Sequence, residues 1–155
     1  MLFRSRGKDA TALVNLTKKW EQEAGMDFFA AFVVGLREMH LIVEIVFDKQ
    51  DPTSCAGAMK SMRGMVADAA KMGYGEYRTH LALMDQVAHT YNWNGNALMK
   101  LNEKIKDALD PKGILAPGKS GVWPARYRGR NWEMRSGKES SEGDGVASTE
   151  VESRL

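Results

Sequence analysis

The stretch Gly73–Pro124 decides how the rest of the chain is organised, and it reads GYGEYRTHLALMDQVAHTYNWNGNALMKLNEKIKDALDPKGILAPGKSGVWP. Two apolar patterns with helical spacing lie here between a polar cluster at 76–80 and a stiff closing loop at 110–124. The first pattern consists of Leu81, Met84, Val87 or Ala88, and Tyr91, and the second of Leu98, Leu101, Ile105 and Leu109. Between them, Asn92–Gly95 has the chemistry of a turn, and Asn96 can cap the second helix. The stretch therefore predicts two short amphipathic helices joined by a tight turn.

The residues before this stretch begin with a predicted helix and a predicted strand. Asp9 can cap a helix that ends at Gly25, because apolar residues recur between them at helical spacing. These residues are Leu13, Leu16, Trp20 and Ala24. The segment Phe28–Val34, FFAAFVV, is a short apolar run rich in aromatic and β-branched residues, which is typical of a buried strand.

A second strand and a second long helix follow. Apolar and polar residues alternate over 38–47, which favours a strand with one wetter face, although the apolar content also satisfies a helical period. Asp51–Ser54 is a helix-start signal, and Gly73 ends the helix. The apolar face of that helix would be formed by Met59, Met62, Val66 and Ala69. This order of elements predicts an α+β fold, with helices packed on a small antiparallel sheet and followed by a mainly helical C-terminal segment.

Composition argues against several classes of function. The 155 residues are one domain's worth of sequence, and the formal charge of +2 gives no reason to expect a nucleic acid or an anionic membrane as partner. No apolar run approaches the roughly 20 residues that span a bilayer, and the first ten residues lack the apolar region of a secretory signal. His40, His80, His89 and the single cysteine, Cys55, show no metal-ligand spacing, so we expect no metal site.

Tyr77 and Arg78 are the candidate catalytic residues. A phenol hydroxyl beside a guanidinium suits the binding of a phenolate, because both donate hydrogen bonds to the charged form and lower the pKa of a bound phenol from about 10. Taken alone, such a pair is more often a surface ion-pair or packing element. Neighbouring side chains on an extended segment also point to opposite sides, so the convergence of these two requires a local kink.

Three segments carry a resemblance to a known family: GYGEYRTH at 73–80, LNEKIKDALDP at 101–111 and GILAPGKSGVWP at 113–124. In this order and spacing they resemble the C-terminal end of the vanillyl-alcohol oxidase and 4-cresol dehydrogenase family, whose members oxidise 4-hydroxybenzylic alcohols and related para-substituted phenols. The resemblance implies FAD as cofactor, a small phenolic substrate, and hydride transfer to FAD followed by reoxidation by O2 to give H2O2. It also implies that Tyr77 and Arg78 bind the substrate phenolate and that Arg78 faces the flavin.

The resemblance further implies an arrangement of domains. Residues 1–72 would be the C-terminal part of a substrate cap domain, residues 73–127 the C-terminal segment of an FAD-binding domain, and residues 128–155 a disordered tail. Members of the family are several times longer, carry an FAD-binding N-terminal half that we expect to be missing here, and are expected to form homo-oligomers. We therefore expect a fragment that is inactive in isolation. The alternative is a non-catalytic relic or a subunit-interaction module.

The segment Gly113–Ser120 matches the phosphate-binding pattern G-x-x-x-x-G-K-S, which raises nucleotide binding as another alternative. We reject it on mechanism, because that loop must follow a strand and open a helix whose amides hold phosphate. Here a predicted helix precedes the segment, and Pro124 follows it too closely for a helix. A rigid loop packed over the flavin domain fits the resemblance better. Lys119 would then reach either the cofactor or the solvent.

The last three residues, Ser153, Arg154 and Leu155, resemble the C-terminal peroxisomal address S-K-L with one basic residue in place of another. An oxidase that makes hydrogen peroxide also belongs beside catalase. We therefore expect a peroxisomal location, with the cytoplasm as the alternative.

Overall fold

A computed structural model of the protein describes residues 1–4, 6–130 and 132. Its strands are β1 (Leu2–Arg4), β2 (Phe29–Val34) and β3 (Glu38–Glu44), and its helices are α1 (Gly7–Glu23), α2 (Pro52–Lys71), α3 (Met84–Thr90) and α4 (Trp93–Leu109). Short 3₁₀ turns lie at Leu81–Leu83 and Lys119–Gly121. The predicted α+β class is confirmed. Most of the predicted tail, including Ser153, Arg154 and Leu155, lies outside the described residues.

The three strands form one antiparallel sheet in the order β1-β3-β2, so β3 is the central strand. Its residue His40 pairs with Leu2 on one side and with Val33 on the other. Leu41, the next residue along, is buried, while Ile42 is exposed. The drier and wetter faces predicted for this strand are therefore present.

Helices α1 and α2 form the core together with β3. Leu13 of α1, Leu41 of β3, and Met65 and Ala69 of α2 are buried against one another. Burial of apolar surface of this kind is the main favourable term in folding. A second cluster, Val66, Leu83 and Val87, connects α2 to α3. Both clusters include residues of α2. The packing of α3 on α2 therefore fixes the position of the segment between these two helices, and this segment holds the candidate site.

The predicted start of α2 and the glycines predicted to end α1 and α2 are confirmed. Asp51 caps α2, because its carboxylate accepts the amide of Thr53 at 2.9 Å and Pro52 occupies the first helical position. Gly25 and Gly73, which follow α1 and α2, have φ values of +71° and +81°, a conformation that glycine adopts without strain.

The predicted cap of α1 at Asp9 is wrong. The helix starts at Gly7, and Arg6 occupies the cap position without a side-chain cap bond. The Asp9 carboxylate is buried, and it accepts hydrogen bonds from Arg6 Nε at 2.5 Å and from the Tyr74 hydroxyl at 3.2 Å. The Asp9 carboxylate therefore binds two side chains, one of them distant in sequence. It lies within the first turn of the helix and not at the cap position.

The predicted burial of the first long strand is also wrong. β2 exists, but Phe29, Val33 and Val34 are exposed. Among the described residues β2 is an edge strand, and its Ala30 packs against the core. An apolar run indicates a strand through its intrinsic preference, whereas burial depends on what covers the strand.

The start of α4 differs from the prediction. Asn94, Gly95 and Asn96 all have positive φ, so the predicted turn is present, but Asn96 is part of it and does not cap the helix. Asparagine and glycine tolerate this left-handed conformation better than other residues do. The predicted apolar stripe lies on the surface, since Leu98, Leu101, Ile105 and Leu109 are all exposed.

The predicted boundary between residues 72 and 73 coincides with the end of α2, and the division into two domains stays a prediction. Among the helices of the described residues, none combines the length and the apolar character needed to cross a bilayer.

Candidate functional site

The segment between α2 and α3 is held in place by two tyrosines. Tyr91, just after α3, donates its hydroxyl to the carbonyl oxygen of Glu76 at 2.5 Å, and Tyr74 donates to Asp9. A Cβ at Gly75 would lie only 2.6 Å from the Tyr91 hydroxyl oxygen, so the ring approaches this closely because residue 75 is glycine. The two bonds fix the backbone directly before the predicted catalytic pair.

The backbone bends at Tyr77 and Arg78, and a local kink of this kind is what the convergence of the two side chains requires. Both side chains are exposed, Tyr77 to 49%. The imidazole of His40 stacks on the Tyr77 ring, with 4.6 Å between the ring centroids and 25° between the ring planes. The central strand of the sheet is therefore in direct contact with the candidate site.

A cavity of about 390 Å³ brings the three predicted site residues together. Tyr77 and Arg78 border it from the bend, and Lys119 borders it from the closing loop. Apolar side chains of α3 and α4 form part of the lining, among them Met84, Val87, Leu98 and Met99. Glu76 and Tyr91 also line the cavity, so it offers two phenol hydroxyls, one carboxyl group and two cations above an apolar wall.

The closing loop reaches this cavity because it packs against α3. Trp123 donates its indole N–H to Asp85 Oδ1 at 2.7 Å. Gly121 has a φ of +73°, and a Cβ at this position would lie 2.4 Å from the Cβ of Ala88. Only glycine allows both the conformation and the approach, which together bring Lys119 to the cavity.

The first turn of the closing loop is built on Asp110. Its carboxylate accepts hydrogen bonds from Lys106 Nζ at 2.8 Å and from the amides of Ile114 and Leu115 at 3.0 and 2.9 Å. The hydrogen bond from Lys106 has the largest effect, and the bonds from the two amides add to it. Together they outweigh the effect of burial and lower the pKa of Asp110 to about 2. The Gly113 amide donates to the Asp110 carbonyl oxygen at 2.9 Å, which closes a turn over residues 110–113.

The bend also borders a second cavity, of about 550 Å³. Glu76, Tyr77, Arg78 and Thr79 line both cavities and form their shared wall. The rest of the second cavity is mainly apolar, with side chains from β3 and α2 such as Leu41, Val43, Met59 and Met62. The candidate pair is therefore accessible from a cavity with an apolar lining and from a cavity bordered by Lys119.

Glu76 modifies the charge at this shared wall. Burial raises the pKa of Glu76, and the Met1 amino group, 3.9 Å from Oε2, and the Arg78 amide oppose that shift. Burial also raises the pKa of Tyr91, with a further contribution from the Glu76 charge. The shared wall therefore carries a carboxyl group, paired with the Met1 amino group, beside Tyr77 and Arg78.

The segment Gly113–Ser120 lacks the geometry of a phosphate-binding loop. Helix α4 precedes it, and a single 3₁₀ turn at Lys119–Gly121 follows, in which Ser120 has a φ of +54°. In the described part of the chain no α-helix begins after this segment, so the row of helix-terminal amides that would hold phosphate is missing. Nor do the described residues contain three or more His, Cys, Asp or Glu side chains grouped to hold a metal.

Tyr91 lines the site and His40 contacts Tyr77 from outside it, although the sequence identified neither as a site residue. The alternating pattern correctly assigned His40 to a strand, and the helical pattern assigned Tyr91 to the first amphipathic helix, which ends one residue before it. Neither pattern says what a residue meets across the fold, and no local signal pairs His40 with Tyr77. His80 caps the 3₁₀ turn at Leu81–Leu83, because its Nδ1 accepts the amide of Ala82 at 3.2 Å.

The chain is similar to known proteins. Residues 7–120 match the family model described as FAD linked oxidases, C-terminal domain. The flavoprotein subunit of 4-cresol dehydrogenase [hydroxylating] from Pseudomonas putida is 32% identical over 118 residues, which are 76% of this chain and 22% of that protein.

Two solved structures are also similar. One is 4-ethylphenol oxidase from Gulosibacter chungangensis in its isoeugenol complex, with 44% identity, a TM-score of 0.80 and coverage of 82% of this chain and 24% of that one. The other is p-cresol methylhydroxylase with substrate bound, with 31% identity, a TM-score of 0.74 and coverage of 79% and 23%. The chain thus spans less than a quarter of the length of these relatives.

Proposed function

This chain belongs to the family of FAD linked oxidases through their C-terminal domain, and on that premise we propose that it forms the phenol-binding side of a flavin-dependent oxidase. The proposed substrates are 4-hydroxybenzylic alcohols and related para-substituted phenols, in keeping with the cresol and ethylphenol in the names of its relatives. The observation that carries the proposal is the convergence of Tyr77, Arg78 and Lys119 on one cavity.

Tyr77 and Arg78 bind the phenol hydroxyl as a phenolate. A neighbouring cation lowers the pKa of an acid by about 1–3, so Arg78 alone would bring a phenol from about 10 to between about 7 and 9. The Tyr77 hydroxyl adds a hydrogen bond to the charged form, which lowers the pKa further. Two donors at one oxygen therefore bring ionisation within reach of neutral pH.

FAD is the cofactor of this family, and the two cations that border the cavity, Arg78 and Lys119, suit the charge of its reduced ring. A reduced flavin carries negative charge over N1 and the C2 carbonyl, and fixed cations stabilise charge that develops during a reaction. Arg78 would hold that part of the ring, and Lys119 would add a second positive charge beside it. When bound, FAD supplies the acceptor for a hydride, and O2 reoxidises it with formation of H2O2.

The chain's own residues prepare the substrate for loss of that hydride. Ionisation of the hydroxyl pushes electron density through the ring to the benzylic carbon, from which the hydride leaves with its electron pair. The substrate is then a neutral quinone methide, which water attacks at the same carbon. Tyr77 and Arg78 orient the substrate ring and stabilise the phenolate charge. Both effects accelerate the reaction most when the two side chains are already in place before hydride transfer.

Binding of 4-nitrophenol to the full 155-residue chain tests the proposal, because the absorbance of this probe reports its ionisation. We expect the bound probe to be ionised at a pH at which the free probe is mostly neutral. Arg78→Ala and Tyr77→Phe should each weaken binding about tenfold or more, as expected for loss of a charge-assisted hydrogen bond. Arg126→Ala, an exposed arginine in the closing segment, is the matched control, and 4-nitroanisole, which cannot ionise, should not bind.

Equal affinity of the wild type and Arg78→Ala would exclude the assigned role. The same substitution at the equivalent arginine of a full-length relative should slow flavin reduction by about two to three orders of magnitude, the usual effect of removing a charge-stabilising donor. Unchanged reduction kinetics would contradict the proposal independently of the binding result.

A second candidate function is a subunit-interaction module without catalysis. The observation that favours it is the exposed apolar surface of β2 and α4, where Phe29, Val34, Leu101 and Leu109 lie open. It predicts that the purified chain self-associates or joins a full-length relative in light scattering, and that it shows no visible flavin absorbance. Bound flavin together with phenolate binding would favour the oxidase.

A peroxisomal location is also proposed, from Ser153, Arg154 and Leu155 alone. A fluorescent protein that carries the last ten residues should enter peroxisomes, and deletion of Leu155 should leave it in the cytoplasm. Import that does not depend on Leu155 would contradict the proposal.

A further inference from the structure

His40 is a histidine that the proposed mechanism does not use, although it touches one of the two residues that would bind the phenolate. Its ring stacks on Tyr77 with a centroid separation of 4.6 Å. His40 borders neither of the two cavities that Tyr77 lines. It therefore meets the tyrosine from outside the candidate binding site.

The two stacked rings differ in how firmly they are held. His40 lies in the central strand, and its backbone position is paired with Leu2 on one side and Val33 on the other. Tyr77 lies on a bend, is half exposed, and makes no hydrogen bond to any of the described residues through its hydroxyl. The rigid partner in the stack is the histidine.

This arrangement suits a residue that has to offer its hydroxyl to a ligand. A hydrogen bond to the protein would occupy the Tyr77 hydroxyl, whereas a stack holds the ring by its face and leaves the hydroxyl at the ring edge free. We propose that His40 is a positioning residue, which fixes the Tyr77 ring so that its hydroxyl meets the phenolate oxygen together with Arg78. This inference rests on the proposed function.

The size of the effect follows from the strength of such a contact. Aromatic pairs in stacked geometry shift an equilibrium by about two- to tenfold beyond their burial. Loss of the stack should therefore weaken phenolate binding by a factor in that range, and less than loss of the Tyr77 hydroxyl itself. The contact also connects the sheet to the bend, so in the full enzyme His40→Ala should lower kcat for phenol oxidation more than it raises KM.

The test compares His40→Ala, His40→Phe and Tyr77→Phe in the full 155-residue chain. Nuclear magnetic resonance of the Tyr77 ring reports the stack directly, through contacts with His40 in the wild type and through a ring-current shift that His40→Ala removes. Binding of 4-nitrophenol is measured in parallel. We expect His40→Ala to weaken binding about two- to tenfold and His40→Phe, which keeps a flat ring, to restore it. His89→Ala, a histidine beside a different cavity, should change neither signal.

The outcomes separate the two proposals. If Tyr77→Phe weakens binding but His40→Ala leaves both the Tyr77 resonance and the affinity unchanged, the positioning role is overturned and the phenolate site stands. If the wild type binds no phenol, the proposed function fails, whereas the Tyr77 resonance still shows whether His40 fixes the ring. If His40→Ala does not fold, the positioning role is tested by the ring contacts in the wild type and by the affinity of His40→Phe for 4-nitrophenol. An affinity of His40→Phe as low as that of Tyr77→Phe overturns the positioning role.

Discussion

Asp85 of α3 accepts the indole N–H of Trp123 at 2.7 Å, and this bond fastens the closing loop to the helix beside the candidate site. A hydrogen bond to a charged group contributes about 1.5–3 kcal/mol to stability. In a double-mutant cycle with Trp123→Phe and Asp85→Ala, we expect a coupling energy in that range, measured by urea denaturation. Trp93→Phe, at an exposed tryptophan, is the control. A coupling energy near zero would show that packing alone holds the loop.

Gly121 is expected to tolerate no side chain. Gly121→Ala incurs a positive-φ cost of about 1–2 kcal/mol and an overpacking cost of typically 1–3 kcal/mol, because its Cβ would meet Ala88 at 2.4 Å. Gly129 is a matched control, since its φ is +70° but nothing lies within 4 Å of a Cβ there. Gly129→Ala should therefore show the conformational cost alone. Equal losses of unfolding free energy in the two variants would contradict the close approach of the loop to α3.

Glu21 should make stability depend on pH. Its side chain is fully buried in α1, and neither carboxylate oxygen has a hydrogen bond of normal geometry within the described residues. The Phe29 amide partly opposes the rise in the pKa of Glu21 that burial causes. Burial raises the pKa of Glu21 from 4.5 to about 7. The folded state holds this proton more tightly than the unfolded state, so the contribution of Glu21 to stability is greatest below pH 4.5, falls as the pH rises to about 7, and then stays low.

Glu21→Gln removes that loss. We expect the variant to exceed the wild type in unfolding free energy by up to about 3 kcal/mol at pH 8, and the difference to shrink towards pH 4.5. Urea denaturation at a series of pH values gives the difference, and Glu23→Gln, an exposed glutamate on the same helix, controls for net charge. If the difference in unfolding free energy does not change with pH, ionisation of the buried Glu21 carboxyl does not destabilise the protein.

Asp110 should have the opposite dependence. Its folded pKa of about 2 lies below the ordinary 3.8, so its contribution is complete above pH 3.8 and is lost as the pH falls through about 2. Asp110→Asn should lower the melting temperature at neutral pH, because Lys106 loses its charged partner and one of the two loop amides loses its acceptor. The deficit should narrow as the pH approaches 2, and Asp27→Asn, at an exposed aspartate, should show no such trend.

Local sequence determined the kinds of element and several of their ends. Asp51 and Pro52 start α2, and Gly25 and Gly73 follow helices in the left-handed conformation, because these preferences depend on one residue and its nearest neighbours. The turn at Asp110 was predictable for the same reason. The three family segments also determined the family, because their order and spacing can be recognised in the sequence without knowledge of the fold.

Tertiary structure alone decided which side chains meet. The same apolar pattern that indicates a strand left β2 exposed at an edge, and Asp9 is bound by Tyr74 at the far end of α2. His40 and Tyr77 lie in different elements, and nothing in either local pattern brings their rings to 4.6 Å. Backbone preference is set by near neighbours, whereas burial and contact depend on how distant segments pack, so the sequence could name Tyr77, Arg78 and Lys119 but only the packed chain places them around one cavity.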